Sequence, residues 1–136
     1  MRGVIDTSVL IDLGGIDPGD LPAEIAISAV TLAELAAGPH AAADPEERAR
    51  RQDRLQRAEA TFEALPVDAA VARAYGRIYA AVAAAGRKAR GRRAFDLLIA
   101  ATALAAQLPL YTRDPDDFEE LAPLVDVVTV RASARP

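Results

Sequence analysis

The chain of 136 residues contains no cysteine and no tryptophan. Without cysteine, disulfides, thiolate metal sites and thiol nucleophiles are excluded. Aromatic residues make up only 4% of the chain, which argues against platforms that stack nucleic-acid bases. The single histidine, His40, lies in a Gly-Pro-His-Ala stretch that reads as a solvated loop, and no serine–histidine–aspartate pattern forms around it. Long uncharged runs are missing too. The alanine-rich stretches 69–85 and 94–108 are too short or too charged to span a bilayer. Asp6 and Asp12 interrupt what would be the apolar part of a secretory signal, so a cytoplasmic protein without membrane contact is expected.

Half of the residues, 51%, are hydrophobic, enough for a core in one domain. We expect that domain to span 1–131, with 132–136 a disordered tail. The formal net charge of -4 is not that of a general nucleic-acid binder. Its distribution matters more, because Arg87, Lys88, Arg90, Arg92 and Arg93 crowd into one predicted loop. Such a run reads either as a solvated loop or as a surface for phosphates.

The stretch Val4-Ile5-Asp6-Thr7-Ser8-Val9-Leu10 reads as a buried strand that stops at a carboxylate, turns, and enters a helix over about 7–13. A second strand is predicted from Glu24 to Ser28, followed by a helix that Thr31-Leu32-Ala33-Glu34 opens and Gly38-Pro39 closes. Asp44-Pro45-Glu46-Glu47 starts a charged helix running to about Ala64, with Leu55, Ala58, Phe62 and Leu65 facing inward. A short extended connector, or a brief strand, follows at Leu65-Pro66-Val67. Asp68 then caps a helix that buries Val71, Tyr75, Ile78, Tyr79 and Val82 and ends at Gly86. After the basic loop, an almost wholly apolar helix over 94–107 reads as central and buried. Strands are expected at Leu108 to Thr112 and Val125 to Val130, with one helical turn between them. Short strands alternating with longer helices predict an α/β protein, a three-layer α/β/α sandwich on a mostly parallel sheet.

In a parallel sheet the strand C-termini share one edge, and ligands bind beyond it. Asp6 ends the first strand, Glu34 sits in the first turn after the second, Asp96 in the first turn of the apolar helix, and Asp114 just past Thr112. The topology would gather these carboxylates. Their mutual repulsion demands raised pKa values or a cation. Oxygen ligands without histidine or cysteine suit Mg²⁺ or Mn²⁺, which could activate water and steady a leaving oxygen. Each acid also has a structural reading. Glu34 with Thr31 has capping-box spacing, Asp6 can cap a short helix, Asp96 suits a helix N-terminus, and Asp114 and Asp117 suit a turn.

Val-Ile-Asp-Thr-Ser-Val-Leu-Ile at 4–11, Ser-x-Val-Thr-x-x-Glu-Leu at 28–35, Phe-Asp-x-x-Ile-Ala-Ala at 95–101 and Thr-Arg-Asp-x-x-Asp-Phe at 112–118 together resemble PIN-domain ribonucleases, most closely the VapC-type toxins of toxin–antitoxin pairs. The resemblance covers nearly the whole chain. It implies a metal-dependent endoribonuclease acting on RNA such as tRNA or rRNA, with Asp6, Glu34, Asp96 and Asp114 holding Mg²⁺ or Mn²⁺ and Asp117 as the alternative to Asp114. Thr7, Ser8 and Thr112 would orient carboxylates or water, and the basic run would hold RNA. It also implies a homodimer and a cognate VapB-like antitoxin, clamped by the helices at 31–37 and 44–64. Other readings are an inert PIN-like binding module, a DNA nuclease with the same metal site, and a receiver-type phosphoryl acceptor. The last lacks a second aspartate at position 8, where Ser8 stands, and the only lysine, Lys88, lies in a loop.

Overall fold

A computed structural model describes residues 1–89 and 91–131, with Arg92 described in its backbone alone. Arg90 and the expected tail 132–136 lie outside the described residues. The strands are β1 (Arg2–Ile5), β2 (Glu24–Ser28), β3 (Glu63–Leu65), β4 (Leu110–Thr112) and β5 (Val127–Thr129). The helices are α1 (Thr7–Ile11), α2 (Ala29–Ala41), α3 (Pro45–Thr61), α4 (Ala69–Ala84) and α5 (Arg92–Ala106), with short 3-10 turns at Leu13–Gly15, Pro18–Asp20 and Pro115–Leu121.

The strands form one parallel sheet in the order β3-β2-β1-β4-β5. The chain therefore builds outward from β1 on one side, then returns to build from β1 on the other. Between β1 and β4 the winding reverses, and a crevice opens beyond the strand C-termini at that point. Val4 pairs with Leu110 and Ile5 with Tyr111. The next residues along, Asp6 and Thr112, thus reach the crevice together.

Neighbouring strand residues point to opposite faces, and the core divides accordingly. Val4, Ala26 and Leu110 pack with Val71, Ile78 and Val82 of α4, and with Leu97, Ile99 and Ala103 of α5. Ile5, Ile27 and Tyr111 pack on the other face with Val9 and Leu10 of α1, Leu35 of α2 and Ala58 of α3. This is the predicted α/β/α sandwich. Fully burying a residue such as Ile78 or Leu97 contributes about 1.5–3 kcal/mol. The second core also explains a glycine: a Cβ on Gly3 would lie 2.6 Å from Tyr111 Cε1, so the ring crosses β1 only where no side chain stands.

Several boundaries differ from those predicted. The first α-helix stops at Ile11, and Leu13–Gly15 continues as a 3-10 turn. Ser28, not a residue near Thr31, caps α2, which then runs through Gly38 and Pro39 to Ala41. His40 is exposed in the last turn of that helix rather than in a loop. The helix predicted to about Ala64 stops at Thr61, and the strand offered at Leu65-Pro66-Val67 is the edge strand β3, which begins at Glu63 and ends at Leu65. The apolar helix begins at Arg92, so Arg92 and Arg93 are helical rather than part of a loop. Tyr79 and Phe95, expected inside, are 52% and 49% exposed. Among the described residues no helix is long and apolar enough to cross a membrane.

Candidate active site

Asp6 leaves β1 and caps α1, its Oδ1 accepting from the Val9 amide at 3.0 Å and from Ser8 Oγ at 2.6 Å. The residue is only 3% exposed. Burial pushes its carboxyl above the ordinary value. Hydrogen bonds from Ser8, Thr112 and Val9 pull it down, the negative charge of Asp114 pushes it up again, and the net shift is upward. Both hydroxyls do double duty. Ser8 Oγ also accepts from the Arg113 amide at 3.2 Å, and Thr112 Oγ1 from the Asp114 amide at 3.0 Å. Asp6 is thereby tied through two hydroxyls to the backbone that leaves β4, whose own position is braced by an Arg113–Asp12 ion pair.

Glu34 stands in the second turn of α2, not the first, because Ser28 starts that helix. The capping-box reading with Thr31 therefore fails: Thr31 is an interior helix residue and is fully buried. Thr7 Oγ1 lies 2.7 Å from Glu34 Oε1 and 3.1 Å from Thr31 Oγ1. A hydroxyl has one proton. That proton faces two acceptors, and the shorter distance and the negative charge favour the Glu34 carboxylate over Thr31.

Asp6, Asp96, Asp114 and Asp117 all line one cleft of about 560 Å³, together with Thr7, Ser8 and Phe118. Asp96 lies in the second turn of α5 rather than the first. Asp114 stands at the N-cap of the 3-10 turn Pro115–Leu121 and Asp117 lies in its first turn, and no cap bond occupies the Asp114 side chain. Glu34 lines a neighbouring cavity of about 600 Å³ between α1, α2, α3 and α5, and Thr7 forms the wall shared by the two. Four of the five predicted acids are therefore brought to one cleft, and the fifth is one threonine away. Of the basic run, Arg87 and Arg93 line the acidic cleft, whereas Lys88 is exposed outside it. Arg90 and the side chain of Arg92 lie outside the described residues.

The sequence reading missed Glu120. Its side chain is 8% exposed and accepts from both Arg87 and Arg93. It missed Thr31 as well. Only a three-residue step from Thr31 to Glu34 hinted at that residue, and it pointed to a cap. The helices expected to clamp a partner, α2 and α3, do pack together. Arg51 of α3 donates to the Gly38 carbonyl of α2 at 2.9 Å and to Glu47 at 2.8 Å. That pairing with Arg51, and a second with Arg50, holds the Glu47 carboxyl below its ordinary value.

Among the described residues no three acids or histidines are arranged as a ready-made metal cage. The donor set nonetheless fits a hydrated divalent ion. The metal-ligating atoms the cleft offers are all hard carboxylate and hydroxyl oxygens, its most buried carboxyl is raised chiefly by burial and further by the charge of Asp114, and Mg²⁺ takes few direct protein contacts while keeping water.

Comparison with known proteins agrees with this architecture. The PIN domain family matches residues 3–124. Ribonuclease VapC5 of Mycobacterium tuberculosis is 40% identical over 132 residues, covering 95% of this chain and 94% of its own. Ribonuclease VapC4 of the same organism is 36% identical over 132 residues, covering 95% and 97%. The crystal structure of VapBC-5 from Mycobacterium tuberculosis, a member of the VapBC family of toxin–antitoxin systems, superposes with a TM-score of 0.81 at 41% identity, covering 96% of this chain and 98% of that one. The switch-point crevice with its acids, the family match and these relatives place the chain in the PIN domain family, among its VapC-type members.

Proposed function

We propose that this chain is a divalent-metal-dependent endoribonuclease, the toxin of a two-component pair, restrained by a cognate VapB-like antitoxin. The observation that carries this reading is the switch-point cleft itself, where the buried Asp6 is joined by Asp96, Asp114 and Asp117, with Arg87 and Arg93 on the same wall. Relatives named ribonucleases support RNA as substrate, and a relative solved as a toxin–antitoxin complex supports the partner.

Asp6, Glu34, Asp96 and Asp114 would hold Mg²⁺ or Mn²⁺, with Asp117 able to stand in for Asp114. A bound ion would supply Lewis-acid activation of water and stabilise charge on the phosphate. The chain's own residues do the rest. Ser8 and Thr112 fix the Asp6 carboxylate, and Thr7 orients Glu34. Arg87 and Arg93 offset the repulsion between RNA and the acids. As the oxygen of water bonds to phosphorus, the P–O bond to the leaving nucleotide breaks and that oxygen takes up a proton. Single-stranded loops of tRNA or rRNA, where a phosphodiester can enter a cleft, are the substrates we favour. A homodimer forming one globular unit per chain over 1–131 completes the proposal.

The test is cleavage of total RNA by the purified protein with Mg²⁺ and with EDTA, alongside single-stranded DNA. We expect RNA cleavage with Mg²⁺ alone, lowered about 100-fold or more in Asp6→Asn and in Asp96→Asn. Cleavage that persists in EDTA, or in either variant, overturns the proposal. Preference for DNA would replace the substrate while keeping the site.

A further inference from the structure

The pair of arginines at the acidic cleft comes from different parts of the chain. Arg87 follows the end of α4, and Arg93 sits in the first turn of α5. Glu120, from the 3-10 turn Pro115–Leu121, joins them. Its Oε2 accepts from Arg87 Nη1 at 2.9 Å and its Oε1 from Arg93 Nη2, one oxygen for each guanidinium. Arg87 Nη1 also reaches the Asp116 carbonyl at 3.2 Å. The Glu120 side chain is 8% exposed and that of Arg93 is 16% exposed. A carboxylate so enclosed persists only when paired. Two guanidiniums against one carboxylate leave a surplus positive charge. Both arginines line the acidic cleft, and Glu120 engages one nitrogen of each guanidinium.

We propose that Glu120 is a positioning residue for an RNA phosphate site. It holds Arg87 and Arg93 side by side, so that a backbone phosphate flanking the cut bond accepts from the guanidinium donors that Glu120 leaves unused. The inference rests on the reading of this cleft as an RNA site and adds the residue that builds its anion-binding wall. Glu120 touches no substrate and acts through the arginines alone.

Electrostatics gives the test its sign. Glu120→Gln keeps the size and removes a negative charge next to a polyanion site. A mere counter-charge, once removed, would let RNA bind more tightly. A positioning residue, once removed, lets the arginines splay and RNA bind more weakly. The probe is a fluorescein-labelled 12-nucleotide single-stranded RNA, followed by anisotropy in EDTA so that it stays intact. We expect Glu120→Gln to weaken binding roughly tenfold. The slope of log affinity against log salt should fall by about 1.4, the value for two lost contacts to single-stranded RNA. In an Arg87→Gln/Arg93→Gln background, Glu120→Gln should have no further effect. Arg93→Lys keeps the charge but loses the planar fork that bonds Glu120 and phosphate together, and should also weaken binding; it carries the test should Glu120→Gln fail to fold.

Unchanged or tighter binding by Glu120→Gln overturns the proposal, as does an undiminished effect in the double-arginine background or full affinity in Arg93→Lys. Wild-type protein that cleaves RNA with Mg²⁺ but does not bind it in EDTA overturns this proposal alone, because the arginine wall needs no ion. Protein that neither binds nor cleaves overturns the ribonuclease reading with it.

Discussion

At Asp6 a single carboxylate meets opposing demands. Burial and the charge of Asp114 disfavour its ionised form, while Ser8, Thr112 and the Val9 amide favour it, and the first pair wins. The carboxyl is thus raised in the folded state. Its favourable contribution to stability is fully present below the ordinary aspartate value and is lost as pH rises through the raised one. At neutral pH without a divalent ion, ionised Asp6 therefore costs stability. Asparagine keeps the acceptor and the helix cap but carries no charge. Asp6→Asn should melt higher than wild type at neutral pH in EDTA, with the gap closing as pH falls through the raised value. Melts across pH 4 to 8 check this, and a gap that stays constant or widens toward acid would refute it. Asp6 was legible from the sequence because an apolar run ended on it. Glu120 was not, because its significance lies in two arginines 33 and 27 residues away, and no local pattern records such a separation.

The elements bring these residues into place through their ends. Gly86 terminates α4 in the left-handed region, with φ 75°. The Arg87 amide then reaches back to the Val82 carbonyl at 3.0 Å and the Gly86 amide to Ala83 at 3.0 Å, the paired bonds of a Schellman turn. That turn aims Arg87 at Glu120. Gly86→Ala puts a side chain where φ is positive and should lower stability by about 1 kcal/mol in urea denaturation. No measurable loss would show that the turn can be rebuilt without glycine. Gly91, the residue before α5, also has positive φ, 59°. Helix ends were also where prediction was weakest. Ser28 caps α2 because its hydroxyl accepts from the Val30 amide at 3.1 Å while bonding Thr102 of α5 at 3.0 Å, a tertiary contact that moves Glu34 into the second turn. Pro39 does not end α2, since losing one backbone bond so near the terminus is tolerable when the ring is buried. The edge strand β3 is three residues long, too short for periodicity to fix its bounds.

For the whole molecule, the order β3-β2-β1-β4-β5 is what makes a site of scattered acids. The alternation of strands and helices predicted the class of fold. It did not predict which strands are neighbours, because pairing is decided by which faces the helices cover in three dimensions. Once β4 lies beside β1, Asp114 falls close enough to perturb Asp6, and α5 brings Asp96 and Arg93 to the same cleft. The exposed Phe95 and Ile11 both line the cavity that also holds Glu34 and leave apolar surface beside that acid. Direct titration of Mn²⁺, read by the loss of its free-ion electron paramagnetic resonance signal, tests the central claim that the crowded acids of this crevice take up a divalent cation. Wild-type protein should remove Mn²⁺ from solution in a saturable way, and Asp6→Asn should do so at least about tenfold more weakly. Equal uptake by the two proteins, or none by wild type, would contradict the account.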